Sequence, residues 1–192
     1  SLPYQLIYTL SLPPEKYNFS FRIPEVNGDK YYLENTRNRD TITVWITDST
    51  VYNKPQLSTI VEFPFTDSLG ITDLKTDTII MRYLAPRAPR TKVVRRTPYK
   101  VNYGLRSGQT RPDIRVKFTA PVPFGETDTS RIRLFETIKS EMLKIPYALR
   151  KDSANSCLYF MDADLQAGKS YLFIADSAAF KSIYGDFTDS TG

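Results

Sequence analysis

Short period-two segments, each closed off by turn formers, restrict this chain more than any other feature. Tyr17, Phe19, Phe21 and Ile23 fall on one side of an extended backbone, with Asn18, Ser20 and Arg22 on the other. That is the pattern of a strand with one face buried and one in water. The same alternation predicts strands over 5–11, 31–35, 41–46, 58–65 and 78–83, punctuated by Asn27-Gly28-Asp29 and by Pro13-Pro14, Pro24, Pro55 and Pro64. Proline lacks a backbone donor, so these positions belong at edges, turns or bulges, and no long helix fits across them. Several short strands spaced by turns argue for a β-sandwich.

Alternation breaks off at Leu84-Ala85-Pro86-Arg87-Ala88-Pro89-Arg90, where two prolines and two arginines leave no apolar period. This reads as a linker. Beyond it, 93–103 reads as an entering strand, followed by strands over 114–119, 131–136, 147–150, 156–161 and 170–175. Segments 137–143 and 177–183 lack sustained helical period and read as loops or single turns. The expected organisation is all-β: a sandwich module over 1–86, a basic Pro/Arg linker over 87–91, and a second sandwich over 92–192. A chain of 192 residues has room for two such modules,. Its 41% apolar and 24% charged residues supply the ordinary means of a packed core,.

The residue types absent from the chain narrow its chemistry. There is no histidine, the commonest general base and metal ligand,. The eight glycines form neither a dinucleotide fingerprint nor a phosphate-cradling loop,. Among the glutamates, Glu15, Glu25, Glu34, Glu126 and Glu141 read as loop residues rather than a glycosidase pair. Asp162 with Asp164, and Asp186 with Asp189, read as solvated turn acids rather than calcium ligands. Cys157 is the single cysteine and reads as a small core residue on a buried strand. No catalytic, cofactor-binding or metal-ligating residue is assigned, and no enzymatic activity is expected.

Two groups of side chains remain as recognition candidates. Tyr31, Tyr32, Trp45 and Tyr52 are aromatics that would stack on a carbohydrate if exposed, and would serve a core if not. Arg82, Arg87, Arg90, Lys92, Arg95, Arg96, Lys100 and Arg106 form a basic run beside Tyr83, Tyr99 and Tyr103, a mixture also used on nucleic acid. With a net charge of only +5, the run reads instead as a solvated linker and edge strand carried by Arg87, Arg90, Arg95 and Arg96. No nucleic-acid partner is expected.

From Asp113 onward the chain resembles the bacterial immunoglobulin-like domain of the surface-layer (SbsA) type. The residues that carry this are Ile114-Arg115-Val116-Lys117-Phe118-Thr119-Ala120-Pro121-Val122, Pro146-Tyr147-Ala148-Leu149, Leu165-Gln166-Ala167-Gly168-Lys169-Ser170-Tyr171 and Tyr184-Gly185-Asp186-Phe187-Thr188-Asp189. In the last of these the glycine precedes the aspartate, which departs from the family's terminal loop. The whole chain is similar to the C-terminal part of Bacteroidales envelope lipoproteins, through Tyr4-Gln5-Leu6-Ile7-Tyr8-Thr9-Leu10-Ser11-Leu12-Pro13-Pro14-Glu15-Lys16-Tyr17 and Arg95-Arg96-Thr97-Pro98-Tyr99-Lys100-Val101. The resemblance implies two immunoglobulin-like β-sandwich modules in tandem, located outside the cytoplasm and associated with the outer membrane. It implies no activity and no cofactor. Partners would be envelope proteins or glycans, and contact with the membrane would come only through an anchor outside this segment. No stretch approaches the ~18 consecutive apolar residues of a spanning helix, and the abrupt ends at Ser1 and Gly192 read as those of a piece of a longer chain.

A recurring triplet bears on the same location. Asp followed by Ser or Thr and then by Ala, Ile, Leu or Thr begins at Asp40, Asp48, Asp67, Asp77, Asp152, Asp176 and Asp189, where composition alone predicts about one occurrence. It resembles the O-glycosylation acceptor of exported Bacteroidota proteins, with Thr41, Ser68 and Thr78 the favoured acceptors. Asp-Thr-Ile is equally how a turn enters a strand.

Overall fold

The structure is a computed structural model of the chain and describes residues 4–10, 19–24, 26–35, 40–83, 98–104, 115–139 and 141–191. The chain is all-β, in several small antiparallel sheets. It divides into two compact units, Ser1–Val93 and Val94–Gly192, each described by itself. The expected linker over 87–91, with Arg87, Arg90, Arg95 and Arg96, lies outside the described residues.

The first unit holds β1 (Gln5–Thr9), β2 (Ser20–Arg22), β3 (Tyr31–Asn35), β4 (Thr41–Ile46), β5 (Gln56–Thr66) and β6 (Thr72–Arg82), with one helical turn, α1 (Ser49–Tyr52), after β4. They form two three-stranded sheets, ordered β1-β4-β3 and β2-β5-β6. Alternation decides which faces meet. Ile42, Val44 and Ile46 of β4, Tyr8 of β1, Phe21 of β2 and Val61 of β5 share one buried cluster, and each fully buried aliphatic side chain stabilises by about 1.5–3 kcal/mol. Across this core the Tyr8 hydroxyl bonds the Thr59 hydroxyl at 2.9 Å. Thr59 in turn donates to the Ile79 carbonyl at 3.0 Å, so a polar chain runs from β1 through β5 to β6.

The alternation over 31–35 and 41–46 coincides with β3 and β4. β5 and β6 extend beyond the expected 58–65 and 78–83, because residues 67–71 close them into one hairpin of 11-residue strands. Asp67 makes that turn: its carboxylate accepts the Leu69 and Ile71 N–H groups, both at 2.9 Å, its own N–H donates to the Ile71 carbonyl, and Gly70 adopts φ +80°. β2 reaches only Glu62 of β5. Pro64 lies just past that point, where the outer side of β5 is uncovered among the described residues and a missing donor costs nothing.

The second unit holds β7 (Val116–Thr119), β8 (Phe124–Thr127), β9 (Ile132–Ile138), β10 (Glu141–Lys144), β11 (Tyr147–Lys151), β12 (Leu158–Ala163), β13 (Ser170–Ala175) and β14 (Phe180–Ser182). The sheets are ordered β10-β9-β13, β11-β12-β7 and β14-β8. Phe118, Phe124 and Phe180 are fully buried and meet at ring separations of 5.5–6.0 Å, with Phe173 at 5.2 Å from Phe118.

Several expectations are corrected here. Residues 137–138 of β9 pair with 141–142 of β10, after a turn with Lys139 at φ 55°, and 177–183 contains β14. In place of a strand entering at 93–103, the described part of that segment contributes one bridge, Asn102 with Thr119. Glu34 and Glu126, expected in loops, lie in β3 and β8, and Glu141 opens β10. Cys157 sits half-buried in the turn before β12, not in a strand.

Candidate functional site

Three surfaces of the described residues bring chemically distinctive side chains together, and one begins at Asp48. Its carboxylate accepts the Thr50 N–H at 2.7 Å and the Thr50 hydroxyl at 2.6 Å, which caps α1, and Lys30 approaches at 2.6 Å. The Lys30 ammonium first, then the Thr50 bonds, hold the Asp48 carboxyl down at about 2. The capped turn buries Val51 and sets Tyr52 edge-on to Tyr4 at 5.6 Å. Tyr52, Val51, Leu6, Leu57, Met81 and Tyr83 line a cavity of about 250 Å³, with Gln5, Lys54 and Arg82 at its polar margin.

The second surface is polar and lies in the second unit. Glu126, Asp128, Arg131 and Lys181 border a hollow of about 320 Å³. Its charges are already matched: Lys181 holds Glu126 at 2.6 Å and Arg131 holds Asp128 at 3.0 Å. Ser130, hydrogen-bonded to Asp128, contributes most to keeping that carboxyl below its usual range, with Arg131 assisting. In the same unit, Asp162 lies in β12 rather than in the expected turn and accepts Arg150 at 2.6 Å and Arg115 at 3.0 Å. Arg150 chiefly lowers its pKa. Two guanidiniums on one carboxylate oppose cation binding. No group of three or more potential metal ligands occurs among the described residues.

The third surface is the β5–β6 hairpin. Beyond the reach of β2, Phe63–Thr66 and Thr72–Lys75 continue as a two-stranded arm. It carries Phe65, Leu74, Ile71 at 62% exposure and Leu69 at 81%. Lys75 lies over the Phe65 ring at 4.9 Å, and the Thr66 and Thr72 hydroxyls bond across the arm at 2.8 Å. Sequence reasoning missed this arm. Its signal was the near-mirrored Phe65-Thr66 and Thr72 flanks around Asp67-Ser68-Leu69-Gly70, a hairpin pattern that the polar residues of 72–77 obscured.

The four aromatics proposed to face a ligand do not share a surface. Trp45 is 2% exposed and donates its indole N–H to Glu34 at 2.8 Å, so the expectation that it faces a ligand is corrected. Tyr32 stands opposite it in register. Tyr31 points to the core side of β3, edge-on to Phe21 at 5.1 Å. Tyr52 borders the cavity beside α1. Of the favoured acceptors, Ser68 and Thr78 are exposed on the hairpin, while Thr41 is half-buried at the start of β4. Of the tyrosines beside the basic run, Tyr99 is buried and donates to the Val122 carbonyl at 2.8 Å. Tyr103 packs against Phe118 and Phe173. Both are spent on the core rather than offered to bases.

Compared with protein-family models, with curated proteins and with solved structures, the chain matches none.

Proposed function

We propose that the chain is a non-catalytic part of a cell-envelope lipoprotein: two immunoglobulin-like sandwiches in tandem that serve as a structural spacer or protein-interaction module. The observation that supports this is how its perturbed carboxylates are used. Shifted carboxyls mark chemistry when they converge in a cleft. Here Asp48 caps α1 and ties it to Lys30, Asp128 caps the 3-10 turn before β9, and Asp162 bridges arginines on either side of β12. Each fastens a loop or strand pair of a β frame.

The immunoglobulin-like assignment and the outer-membrane location rest on the sequence motifs and acceptor triplets. Exposure of Ser68 and Thr78 leaves room for a solubilising glycan at those two positions. Fractionation of the native cells tests the reading: the parent protein is expected in the outer-membrane fraction, with excess mass that Ser68→Ala and Thr78→Ala remove. Recovery from the cytosol at unmodified mass defeats it, and turnover of a chromogenic glycoside by the purified chain overturns its non-catalytic part.

The Tyr52 cavity favours a second reading, a carbohydrate-binding module, because an aromatic ring there adjoins Gln5, Lys54 and Arg82. Glycan-array hits lost in Tyr52→Ala support it, and an array without hits removes it.

A further inference from the structure

The geometry points to the outer edge of β6 as a pairing site for β6 of a second copy of this chain, joined antiparallel about a two-fold axis at Thr76. This rests on the reading of the chain as an interaction module and names the partner. The hydrogen-bond phase of the hairpin comes first. The Asp67 N–H bonds the Ile71 carbonyl, and bonded and non-bonded pairs alternate along an antiparallel ladder. Phe65 with Asp73, Phe63 with Lys75 and Val61 with Asp77 are therefore the bonded pairs. Leu74, Thr76, Thr78 and Ile80 turn their backbone groups to the other side, where β6 has no neighbouring strand among the described residues.

Side-chain charge then selects the register. With Thr76 opposite itself, Lys75 of each copy stands opposite Asp77 of the other, on one face and twice over. The outward groups of Leu74 meet those of Thr78, and Leu74 lies diagonal to Ile80, both exposed in the single chain. Moving the axis by one residue, to Lys75 or to Asp77, sets like charges directly opposite, which opposes pairing. An axis at Leu74 restores one type of ion pair but overlaps only five residues of strand. The Thr76 register overlaps Thr72–Ile80 of both copies.

The apolar side chains agree with the same register. Continued one residue past the strand end, it places Ile71 against Met81 of the second copy. Met81 lines the 250 Å³ cavity of that copy, so an exposed apolar side chain of the arm arrives beside its apolar hollow. In the single chain Asp73 and Asp77 accept the N–H groups of Leu74 and Thr78, each at 2.7 Å, and so occupy two of the outward donors. On pairing, these donors pass to carbonyls of the second copy, and Asp77 is released to its Lys75. The exchange keeps the association weak and dependent on concentration.

Sedimentation of the purified full chain tests this. A monomer–dimer equilibrium is expected, with Lys75→Asp and Asp77→Lys each weakening it by about tenfold or more through two like-charge contacts. An equimolar mixture of the Lys75→Asp and Asp77→Lys chains is expected to regain native-strength pairing, because in this register each 75–77 contact between the two variants again sets Asp against Lys. Unchanged far-UV circular dichroism shows that the variants fold. A native chain that stays monomeric up to about 1 mM, or a dimer indifferent to both substitutions, overturns the inference. Outer-membrane recovery and envelope partners of the monomeric variants report separately on the function proposed above.

Discussion

Thr59→Val is the substitution whose cost the first unit defines best. Thr59 is fully buried; it takes a hydrogen bond from Tyr8 at 2.9 Å and gives one to the Ile79 carbonyl at 3.0 Å. Valine keeps the shape and removes both bonds, leaving the buried Tyr8 hydroxyl without this partner. A buried group stranded in that way costs about 1–3 kcal/mol. Tyr8→Phe removes the hydroxyl itself, and Thr59 keeps Ile79 as its acceptor, so only the net value of one bond is lost, about 0.5–1.5 kcal/mol. The double variant strands nothing and should cost less than the sum of the two. Trp45, the only tryptophan, is buried in β4 of the same unit, so its fluorescence reports this unit's unfolding in the full chain. Each kcal/mol shifts the melting temperature of a domain of this size by about 4–8 °C. Burial also raises the Tyr8 pKa above 10.0, so its stabilisation holds below that pH and is lost as pH rises through the folded value. Tyr8→Phe should flatten alkaline unfolding. Thr59→Val melting no lower than Tyr8→Phe, or strict additivity in the double variant, refutes the reasoning.

Two further outcomes follow from single residues. Asp48 titrates at about 2 in the folded chain against 3.8 ordinarily, so its stabilisation is present above pH 3.8 and lost as pH falls towards 2; urea midpoints read by Trp45 should drop less over that window in Asp48→Asn, and parallel curves count against it. Gly104 adopts φ +62° with a would-be Cβ only 2.6 Å from the Lys117 carbonyl oxygen, whereas Gly168 at φ +76° has open space. Calorimetry of the second unit should therefore show Gly104→Ala costing more than about 1 kcal/mol and more than Gly168→Ala, and equal losses reject the clash.

The parts of the fold legible in the sequence were those where local pattern and burial agree. β3 and β4 could be read to the residue because Ile42, Val44 and Ile46 alternate with Thr41, Thr43 and Trp45 against a core. The Thr72–Asp77 half of β6 is exposed on every residue, so no apolar period marks it, and its strand form comes from pairing with β5. The 137–143 hairpin was hidden for the same reason, since β10 is exposed throughout. Trp45 shows the opposite limit: aromatic type alone does not distinguish a ligand platform from a packed ring, and the Glu34 partner that settles its role lies eleven residues away on another strand.

By itself, then, the sequence determined the β class and the strands that bury one face, because period, proline and composition act through neighbours along the chain. Tertiary structure decided which aromatics the core consumes, which carboxylates are pinned by Lys or Arg, and which strand ends a sheet among the described residues. Those outcomes depend on groups distant in sequence, such as Tyr8 with Thr59 or Arg115 with Asp162, whose encounter no local pattern encodes. The outer edge of β6 is the plainest case. Its alternating charges were visible as letters, but hydrogen-bond phase from the Asp67 turn decides which of its backbone groups face outward.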